Sequence, residues 1–314
     1  MRKGIKTFLI FIIVMGMLPL IITMLFQKDT LIQTGKNGES VYPEAGSEAV
    51  TETESSLYAT EDIEGKVIAI LAKEISVNSD KEAIKAQAVI ARTNLIGAKL
   101  SGEEEPEGLT TAQMMKLFGE DAFSRCYEKL SECVQDTAGL VMVSNNKIIE
   151  APYFAVSAGA TRSAADAFGQ DEVAYLKSVD SSEDITSEDF LKVEQKDIDT
   201  FVDECNSVYP KAKLAADDPM SQIEIVSRDD SGYVKEIKLG EVTVSGEEFR
   251  NALGLNSACF TIKEVEGKIR IVTKGLGHGV GLSQYGANEM AQKGSDYKEI
   301  LKNYYSGIRI TETE

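Results

Sequence analysis

The amino-acid sequence predicts an α+β fold, with an N-terminal transmembrane helix followed by helices packed on a mainly antiparallel β-sheet. Three patterns support this class: helical apolar spacing over 63–100, strand pairs joined by short polar turns over 140–272, and helical spacing again over 283–304. Helices followed by hairpins and then by helices indicate α+β rather than repeated parallel βαβ units.

The first residues have the pattern of a membrane anchor. Arg2, Lys3 and Lys6 precede an apolar run from Phe8 to Phe26. As a helix rising about 1.5 Å per residue, this run would span roughly 29 Å, close to the hydrocarbon thickness of a bilayer. A cleaved secretory signal is the alternative, but the run exceeds the usual length and no small-residue cleavage site follows it. The basic flank predicts a cytoplasmic N-terminus, with everything after Gln27 outside.

The chain divides into three expected parts. Residues 1–26 are expected to form the cytoplasmic stub and anchor, 27–62 an acidic extracytoplasmic linker, and 63–312 the folded domain. Eight acidic residues and no basic one lie between 37 and 65, a composition too polar to bury a core. The roughly 250 residues that follow suffice for one large domain or two small ones.

Apolar spacing and a capping signal predict the first two helices. A helix is expected near 63–75, ending before Val77 and Asn78. Ser79 at the N-cap and Glu82 at N3 then form an expected capping box, which begins a second helix reaching about Leu100. The alanines of the second helix permit close helix–helix contact.

The same patterns predict the later elements. Further helices are expected at 111–119, 123–134, 247–253, 283–292 and 297–304. Strands are expected at 140–143, 147–149, 151–156, 223–226, 233–239, 242–244, 259–265 and 268–272.

The charge balance and the single histidine exclude several classes of function. The net charge is −18 and no stripe of Lys and Arg is visible, so nucleic acid is excluded as a partner and a neutral glycan is favoured. Neither a P-loop nor a nucleophile elbow occurs, and one histidine cannot form a His₂ or His₃ zinc site. A Ser–His or Cys–His pair using His278 stays formally open. No cofactor or metal is expected.

Four cysteines leave two interpretations open. Cys126 and Cys133 are seven residues apart, two turns along one helix face, which is too far to bridge without backbone rearrangement. Cys205 and Cys259 lie in apolar contexts. Core packing is the favoured interpretation for all four, with a disulfide or a metal site as the alternative.

A glycine-rich segment near the C-terminus is the most distinctive pattern. Between Gly275 and Ala287, alternating glycines surround His278, the only histidine. Glycine has no Cβ, so backbone or ligand can approach closely and unusual dihedral angles are accessible. Such a segment is costly in chain entropy, which argues against a purely structural origin. His278 either shapes a binding groove by hydrogen bonding or is a satisfied core histidine.

Carboxylate chemistry remains, and the pattern singles out Glu74 among the 51 acidic residues. It lies at the end of an apolar helix, beside Leu71 and Ile75 and before an alanine-rich helix. Partial desolvation there would raise its pKa and make it a proton donor. A solvated glutamate at a helix end is the alternative.

Several blocks of the sequence resemble the SpoIID/LytB family of bacterial cell-wall proteins, in family order over roughly 63–310. Besides the glycine run, they are the segment Leu71-Ala72-Lys73-Glu74-Ile75 with the helix 82–93, and the stretches 152–180, 231–255 and 297–305. Two departures occur in the middle block. Family members often have a Ser-x-Ser-Gly-Gly turn with a histidine shortly before it, but here Ala155 follows Phe154 and Ala160 follows Gly159. The tryptophan that is common near the position of Phe168 is also absent.

The resemblance implies a lytic transglycosylase that cleaves peptidoglycan between N-acetylmuramic acid and N-acetylglucosamine and leaves a 1,6-anhydro ring. It assigns residues 63–312 as the catalytic domain and Glu74 as the acid and then the base. One carboxylate suffices because the sugar's own C6 hydroxyl is the nucleophile. The residues expected to bind substrate are Gln87, Arg92, Ser157, Gly159, Thr161, His278, Gly279, Gly281, Ser283, Gln284 and Tyr285.

The resemblance leaves the roles of several residues and partners open. Arg92 either binds a sugar or lactyl group or forms a salt bridge with a neighbour. The resemblance also implies work at the engulfing septum in sporulation, with a cell-wall amidase (SpoIIP-like) that removes stem peptides first. The rival function comes from LytB-like members: a glycan-binding modifier of an amidase that does not cut. A requirement for Glu74 in glycan cleavage separates the two.

Overall fold

The computed structural model describes residues 63–169 and 173–313. The described helices are α1 Ile63–Glu74, α2 Lys81–Ser101, α3 Thr111–Phe118, α4 Glu120–Gln135, α5 Ala164–Phe168, α6 Ile198–Val208, α7 Gly246–Leu253, α8 Gln284–Gln292 and α9 Tyr297–Tyr304. The strands are β1 Leu140–Ser144, β2 Lys147–Ile148, β3 Tyr153–Phe154, β4 Leu191–Asp197, β5 Ile223–Arg228, β6 Val234–Leu239, β7 Val242–Ser245, β8 Phe260–Val265, β9 Lys268–Lys274, β10 Leu282–Ser283 and β11 Arg309–Glu312.

The predicted mixture of helices and antiparallel sheet is confirmed. Three antiparallel sheets have the strand orders β11-β1-β2, β4-β9-β8 and β5-β6-β7. The exception is a short parallel pair, in which Leu282 and Ser283 lie opposite Tyr153 and Phe154. This pair brings the strand that precedes the small-residue turn Ser157-Ala158-Gly159-Ala160-Thr161 beside the end of the glycine run.

The predicted capping box at the start of α2 is wrong by one residue. Asp80 is the N-cap, and its side chain accepts the N–H of Glu82 at 2.9 Å. Ser79 belongs instead to the preceding turn, where its N–H donates to the carbonyl of Ser76 at 3.0 Å. The Glu82 carboxylate accepts the N–H of Tyr297 at 2.9 Å and so ties α2 to α9.

Helix α2 passes between two parts of the core. One face carries Ala86 and Ile90, which pack with Met142, Leu282 and the aromatic end of α9. The other carries Ile84, Ala88 and Leu95, which pack against α1, α3 and α4. A separate cluster fills the space between α6, α7 and the sheets of β5 and β8. The central position of α2 therefore explains its nearly continuous buried sequence.

The segment between Arg162 and Gln222 contains elements that the apolar pattern did not predict. Strand β4 pairs along all seven of its residues with β9, and α6 follows it directly. Leu191 and Val193 of β4 are exposed, so the strand lacks the alternation that marks a half-buried strand. Strand β11 was missed as well, and it pairs with β1.

The anchor and the acidic linker predicted for 1–62 lie outside the described residues. Within residues 63–169 and 173–313, none of the helices has the length and apolarity that crossing a bilayer requires.

Candidate active site

Four elements meet at Glu74. It is the last residue of α1, and the helix ends there because the chain turns through Ser76 to Ser79 before α2. Gln87 comes from α2, Tyr153 from β3 and Gln284 from the first turn of α8. Residues that are far apart in sequence therefore surround one carboxyl group.

The hydrogen bonds around Glu74 hold both its side chain and its main chain. The amide of Gln87 donates to Glu74 Oε2 at 3.1 Å. The phenol of Tyr153 lies beside the carboxyl group and lowers its pKa by interacting with the ionised form. Gln284 Nε2 donates to the main-chain carbonyl of Glu74 at 2.7 Å and lies 3.4 Å from Gln87 Oε1. The carboxyl group is thus fixed in position by neutral partners.

Burial of the carboxyl group raises the pKa of Glu74 to about 7. The hydrogen bonds from Tyr153 and Gln87 and the charge of Lys73 oppose this rise, but they are weaker than the loss of hydration. Glu74 as a whole is only partly buried, so solvent reaches the residue although protein encloses the acid group. The group can therefore carry a proton near neutral pH and still meet a ligand.

His278 lies behind this site with both ring nitrogens occupied. Nε2 is 2.8 Å from the main-chain oxygen of Tyr153, and Nδ1 accepts the N–H of Val280 at 3.1 Å. This pattern defines the neutral tautomer with its proton on Nε2. Burial lowers the pKa of His278 to about 3. Of the two interpretations, the satisfied buried histidine describes its surroundings, and its bonds reach Tyr153 rather than open space.

The glycines of the run face the protein. A Cβ at Gly281 would lie 1.8 Å from the carbonyl oxygen of Pro152, and one at Gly279 would lie 2.6 Å from the ring of Tyr233. Both have positive φ, +82° and +83°. The close approach that their missing side chains permit is therefore to neighbouring residues of the same chain.

The small-residue turn forms a second polar cluster, centred on Asp184. Ser157 is fully buried, and its N–H donates to Asp184 Oδ2 at 2.7 Å. Ser283 lowers the pKa of Asp184 against the effect of burial, and it caps α8 by accepting the N–H of Gly286 at 3.3 Å. Asp184 Oδ1 is buried and has no hydrogen-bond partner among the described residues. This cluster adjoins the Glu74 site through Ser283, which directly precedes Gln284.

The remaining expected site residues lie around this turn. Thr161 is buried, and its Oγ1 accepts the N–H of Val179 at 3.0 Å. Gly159 faces open space, because an added Cβ would meet no atom within 4 Å. Tyr285 is partly exposed, and its hydroxyl lies 3.1 Å from that of Thr186. Gly159 and Tyr285 are therefore the more accessible members of the set.

Arg92 lies elsewhere. Its side chain is fully buried, and Nε donates to Glu64 Oε1 at 2.9 Å while Nη2 donates to Glu64 Oε2 at 2.5 Å. It also donates to the carbonyls of Val134 and Leu140. Of its two possible roles, the salt bridge with a neighbour is the one observed. Direct contact with a glycan is incompatible with this burial.

All four cysteines are free thiols. Cys133 and Cys205 are buried in two of the hydrophobic clusters, which agrees with the packing interpretation. Among residues 63–169 and 173–313, no group of three or more His, Cys, Asp or Glu side chains is arranged to hold a metal ion.

Tyr153 and Arg162 are the site residues that sequence reasoning missed. Tyr153 stands in the block that resembles the family, which was the available signal, but no pattern showed its phenol at Glu74. Arg162 is buried beside the glycine run and donates to Asp229, Glu247 and the carbonyl of His278. No sequence pattern predicts that an isolated arginine in a loop will be buried and make these contacts.

Comparison with known proteins gives a consistent set of similarities. A family model described as "Stage II sporulation protein" (SpoIID) matches residues 51–143. Stage II sporulation protein D of Bacillus amyloliquefaciens is 34% identical over 266 residues, covering 80% of this chain and 75% of that protein. Its counterpart in Bacillus subtilis (strain 168) is 33% identical over 265 residues, with the same coverage. An "Amidase enhancer" of the same B. subtilis strain is 24% identical, covering 77% of this chain and 40% of that protein.

Proposed function

Since this chain belongs to the SpoIID family of sporulation proteins, we propose that it is a membrane-anchored lytic transglycosylase acting on peptidoglycan. The substrate is the glycan strand, cut between N-acetylmuramic acid and N-acetylglucosamine. The catalytic domain lies outside the membrane, at the engulfing septum during sporulation. A cell-wall amidase that strips stem peptides is the expected partner.

The observation that carries this proposal is the carboxyl group of Glu74, which neutral partners surround and whose pKa burial raises. Its pKa of about 7 leaves a large share of the molecules with a proton at neutral pH. General acids work best when their pKa lies near the working pH. Neutral donors at Gln87 and Tyr153 hold the group without an ion pair that would keep it permanently ionised.

The proposed reaction needs one carboxyl group in two roles. Glu74 first gives its proton to the glycosidic oxygen, and the bond from C1 of the muramic acid to that oxygen breaks. The carboxylate then takes the proton of the C6 hydroxyl as that oxygen bonds to C1, which closes the 1,6-anhydro ring. The proton count balances, and Glu74 ends protonated as it began. Intramolecular attack also benefits from proximity.

The Gln87 amide and the Tyr153 phenol help Glu74 change between these roles. Each can donate a hydrogen bond to the carboxylate form, and these bonds lower its pKa against the effect of burial. They therefore stabilise the anion that exists between the two proton transfers. We expect the rate to fall as the pH rises through about 7, because the ionised acid cannot protonate the leaving oxygen.

The first prediction concerns Glu74→Gln. The amide occupies the space of the acid and keeps hydrogen-bonding groups toward Gln87 and Tyr153, but it has no proton to transfer. We expect cleavage of peptide-free glycan strands to drop by about 10²–10⁴-fold. The measurement is the yield of anhydromuramic ends by mass spectrometry. Glu128→Gln, on an exposed position of α4, is the matched control and retains activity.

The outcomes of this experiment separate the candidate functions. Undiminished cleavage by the Glu74→Gln protein would remove Glu74 from the mechanism. Absence of anhydro ends from the unaltered protein would favour the rival function, a glycan-binding modifier of an amidase. The similarity to the amidase enhancer motivates that rival. A direct check adds a purified cell-wall amidase and measures its rate with and without this protein.

A further inference from the structure

The environment of His278 excludes acid–base work by its ring. The side chain is buried at 4% exposure, one nitrogen bonds the Tyr153 carbonyl, and the other accepts from Val280. The ring of Phe154 packs edge-on against it, with 5.4 Å between the ring centroids. Neither nitrogen has a free position for a proton from substrate. The function of the only histidine must therefore come from what it holds.

What it holds is the main chain at Tyr153. Strand β3 is only two residues long and is joined by a short parallel pairing to β10. So short a strand has few ladder bonds to fix it. The bond from His278 Nε2 to the Tyr153 carbonyl adds a contact on the residue whose phenol lowers the pKa of Glu74. A displacement of this peptide group would move the phenol away from the acid.

Arg162 in turn holds His278. Its Nη1 donates to the His278 carbonyl at 3.3 Å, and its main-chain N–H donates to the carbonyl of Gly279. Its own position is set by Asp229, at 2.6 Å from Nε, and by Glu247, at 2.8 Å from Nη1. Moving either partner of such a buried ion pair away would leave a buried charge uncompensated, so the pair resists displacement. Arg162 thus connects the loop carrying His278 to Asp229 and Glu247.

We propose that His278 and Arg162 are positioning residues that act on Glu74 through Tyr153. Arg162 fixes the His278 loop, His278 fixes the Tyr153 peptide group, and the Tyr153 phenol reaches the acid. The inference rests on the proposed function only where the rate is the readout. The titration of Glu74 tests it separately, whether or not the protein cuts glycan.

Two substitutions separate the bonds of His278. In His278→Asn, the amide oxygen replaces Nδ1 and keeps the Val280 bond, but the side chain is too short to reach Tyr153. In His278→Gln, the amide nitrogen replaces Nε2 and can still donate to the Tyr153 carbonyl. The pair therefore tests the bond to Tyr153 against a matched change of the same residue.

The readout is the pH midpoint of the Glu74 titration. It is obtained from the pH dependence of unfolding in urea, taken relative to the Glu74→Gln variant of each background, with the rate–pH profile as a second measure. We expect Tyr153→Phe to raise the midpoint by about one pH unit, because it removes a hydrogen bond to the carboxylate. His278→Asn should raise it in the same direction. His278→Gln should return it toward the original value.

Combination with Tyr153→Phe decides whether His278 acts through the phenol. In a protein that already carries Tyr153→Phe, the further change His278→Asn should not raise the pH midpoint of the Glu74 titration any more. An equal rise in both backgrounds would overturn the proposal, and so would a His278→Asn protein that is less stable with an unchanged midpoint. If His278→Asn does not fold, Arg162→Lys replaces it, since the single ammonium nitrogen of lysine keeps the charge but cannot occupy both the Nε and the Nη1 positions that bond Asp229 and the His278 carbonyl. An unchanged midpoint in Arg162→Lys would then overturn the proposal.

Discussion

At the scale of single residues, burial acts in opposite directions on the two titratable groups of the site. It raises the pKa of Glu74 to about 7, from an ordinary value of 4.5, and lowers that of His278 to about 3, from 6.5. In both cases the low-dielectric surroundings disfavour the charged form. His278 therefore stays neutral at neutral pH, and Glu74 keeps its proton in a large share of the molecules there and in nearly all of them at lower pH.

These shifts predict a pH-dependent stability. Between 4.5 and about 7 the folded protein keeps the Glu74 proton that the unfolded chain has lost, so this group's contribution to stability falls as the pH rises. Glu74→Gln removes that effect. We expect the variant to gain roughly 2 kcal/mol over the parent between pH about 5 and about 8, with allowance for partial exposure. Urea unfolding of both proteins at both pH values measures this gain. A difference in the free energy of unfolding that is the same at both pH values would contradict the prediction.

His278 has the opposite sign. Its folded pKa lies below the unfolded value, so its contribution to stability is present above about 6.5 and is lost as the pH falls toward about 3. The two groups therefore oppose each other between 4.5 and 6.5. Only a comparison of single variants at each pH separates them.

At the scale of elements, the glycine run is a packing device that seats one loop against a strand. Gly281 and Gly277 both have positive φ, and a side chain at either would collide with Pro152 or Phe154. The loop can therefore lie directly against β3 and carry His278 to the Tyr153 carbonyl. Close backbone approach, which the glycines permit, is what positions the site.

A comparison of two glycines tests this interpretation. Gly281→Ala and Gly267→Ala both place a side chain at positive φ, +82° and +71°, but only Gly281 lacks space for a Cβ. We expect a loss of about 1–2 kcal/mol at Gly267 from backbone strain alone. At Gly281 we expect a larger loss or failure to fold, because the collision adds to the strain. Thermal and urea unfolding measure both, and equal losses would show that contact with Pro152 is unimportant.

At the scale of the whole molecule, Arg162 joins the part built around α2 to the part built around β5 and α7. It follows β3 in the chain and pairs with Asp229 in the β5–β6 turn and with Glu247 in α7. Arg250 donates to the second oxygen of Glu247 at 3.1 Å. Two arginines and two carboxylates therefore form a balanced, buried group between the two parts.

Removal of one member should leave the others uncompensated. We expect Arg162→Met to lower the free energy of unfolding by about 3–5 kcal/mol, because Asp229 stays buried without its charged partner and Glu247 keeps only Arg250. Asp229→Asn in the same background should recover part of the loss. Lys213→Met, which breaks an exposed pair with Glu241, is the control and should change stability by less than about 1 kcal/mol. Similar losses for both variants would show that the buried group is not a junction.

The sequence predicted the helices and strands in which apolar residues recur at regular spacing, and it did not predict those that lack this spacing. The spacing of apolar residues located α1 and α2, and the capping error came from a turn whose bonds occupy Ser79. Strand β4 was missed because its exposed Leu191 and Val193 resemble no half-buried strand. Its pairing with β9 comes from residues about 80 positions away in the chain, a contact that a local pattern cannot encode.

The sequence by itself indicated the class of fold and marked the glycine run as the segment to explain, through apolar spacing and the absence of side chains. Glu74 stood out through its place at the end of an apolar helix, and its assignment as the acid came from the resemblance to a known family. Only the tertiary structure decided that Arg92 is a buried salt bridge, that His278 bonds Tyr153, and that Tyr153 reaches Glu74. A pKa and a hydrogen-bond partner depend on which groups folding brings together and on how far it excludes water, and neither is a property of a residue's neighbours in the chain.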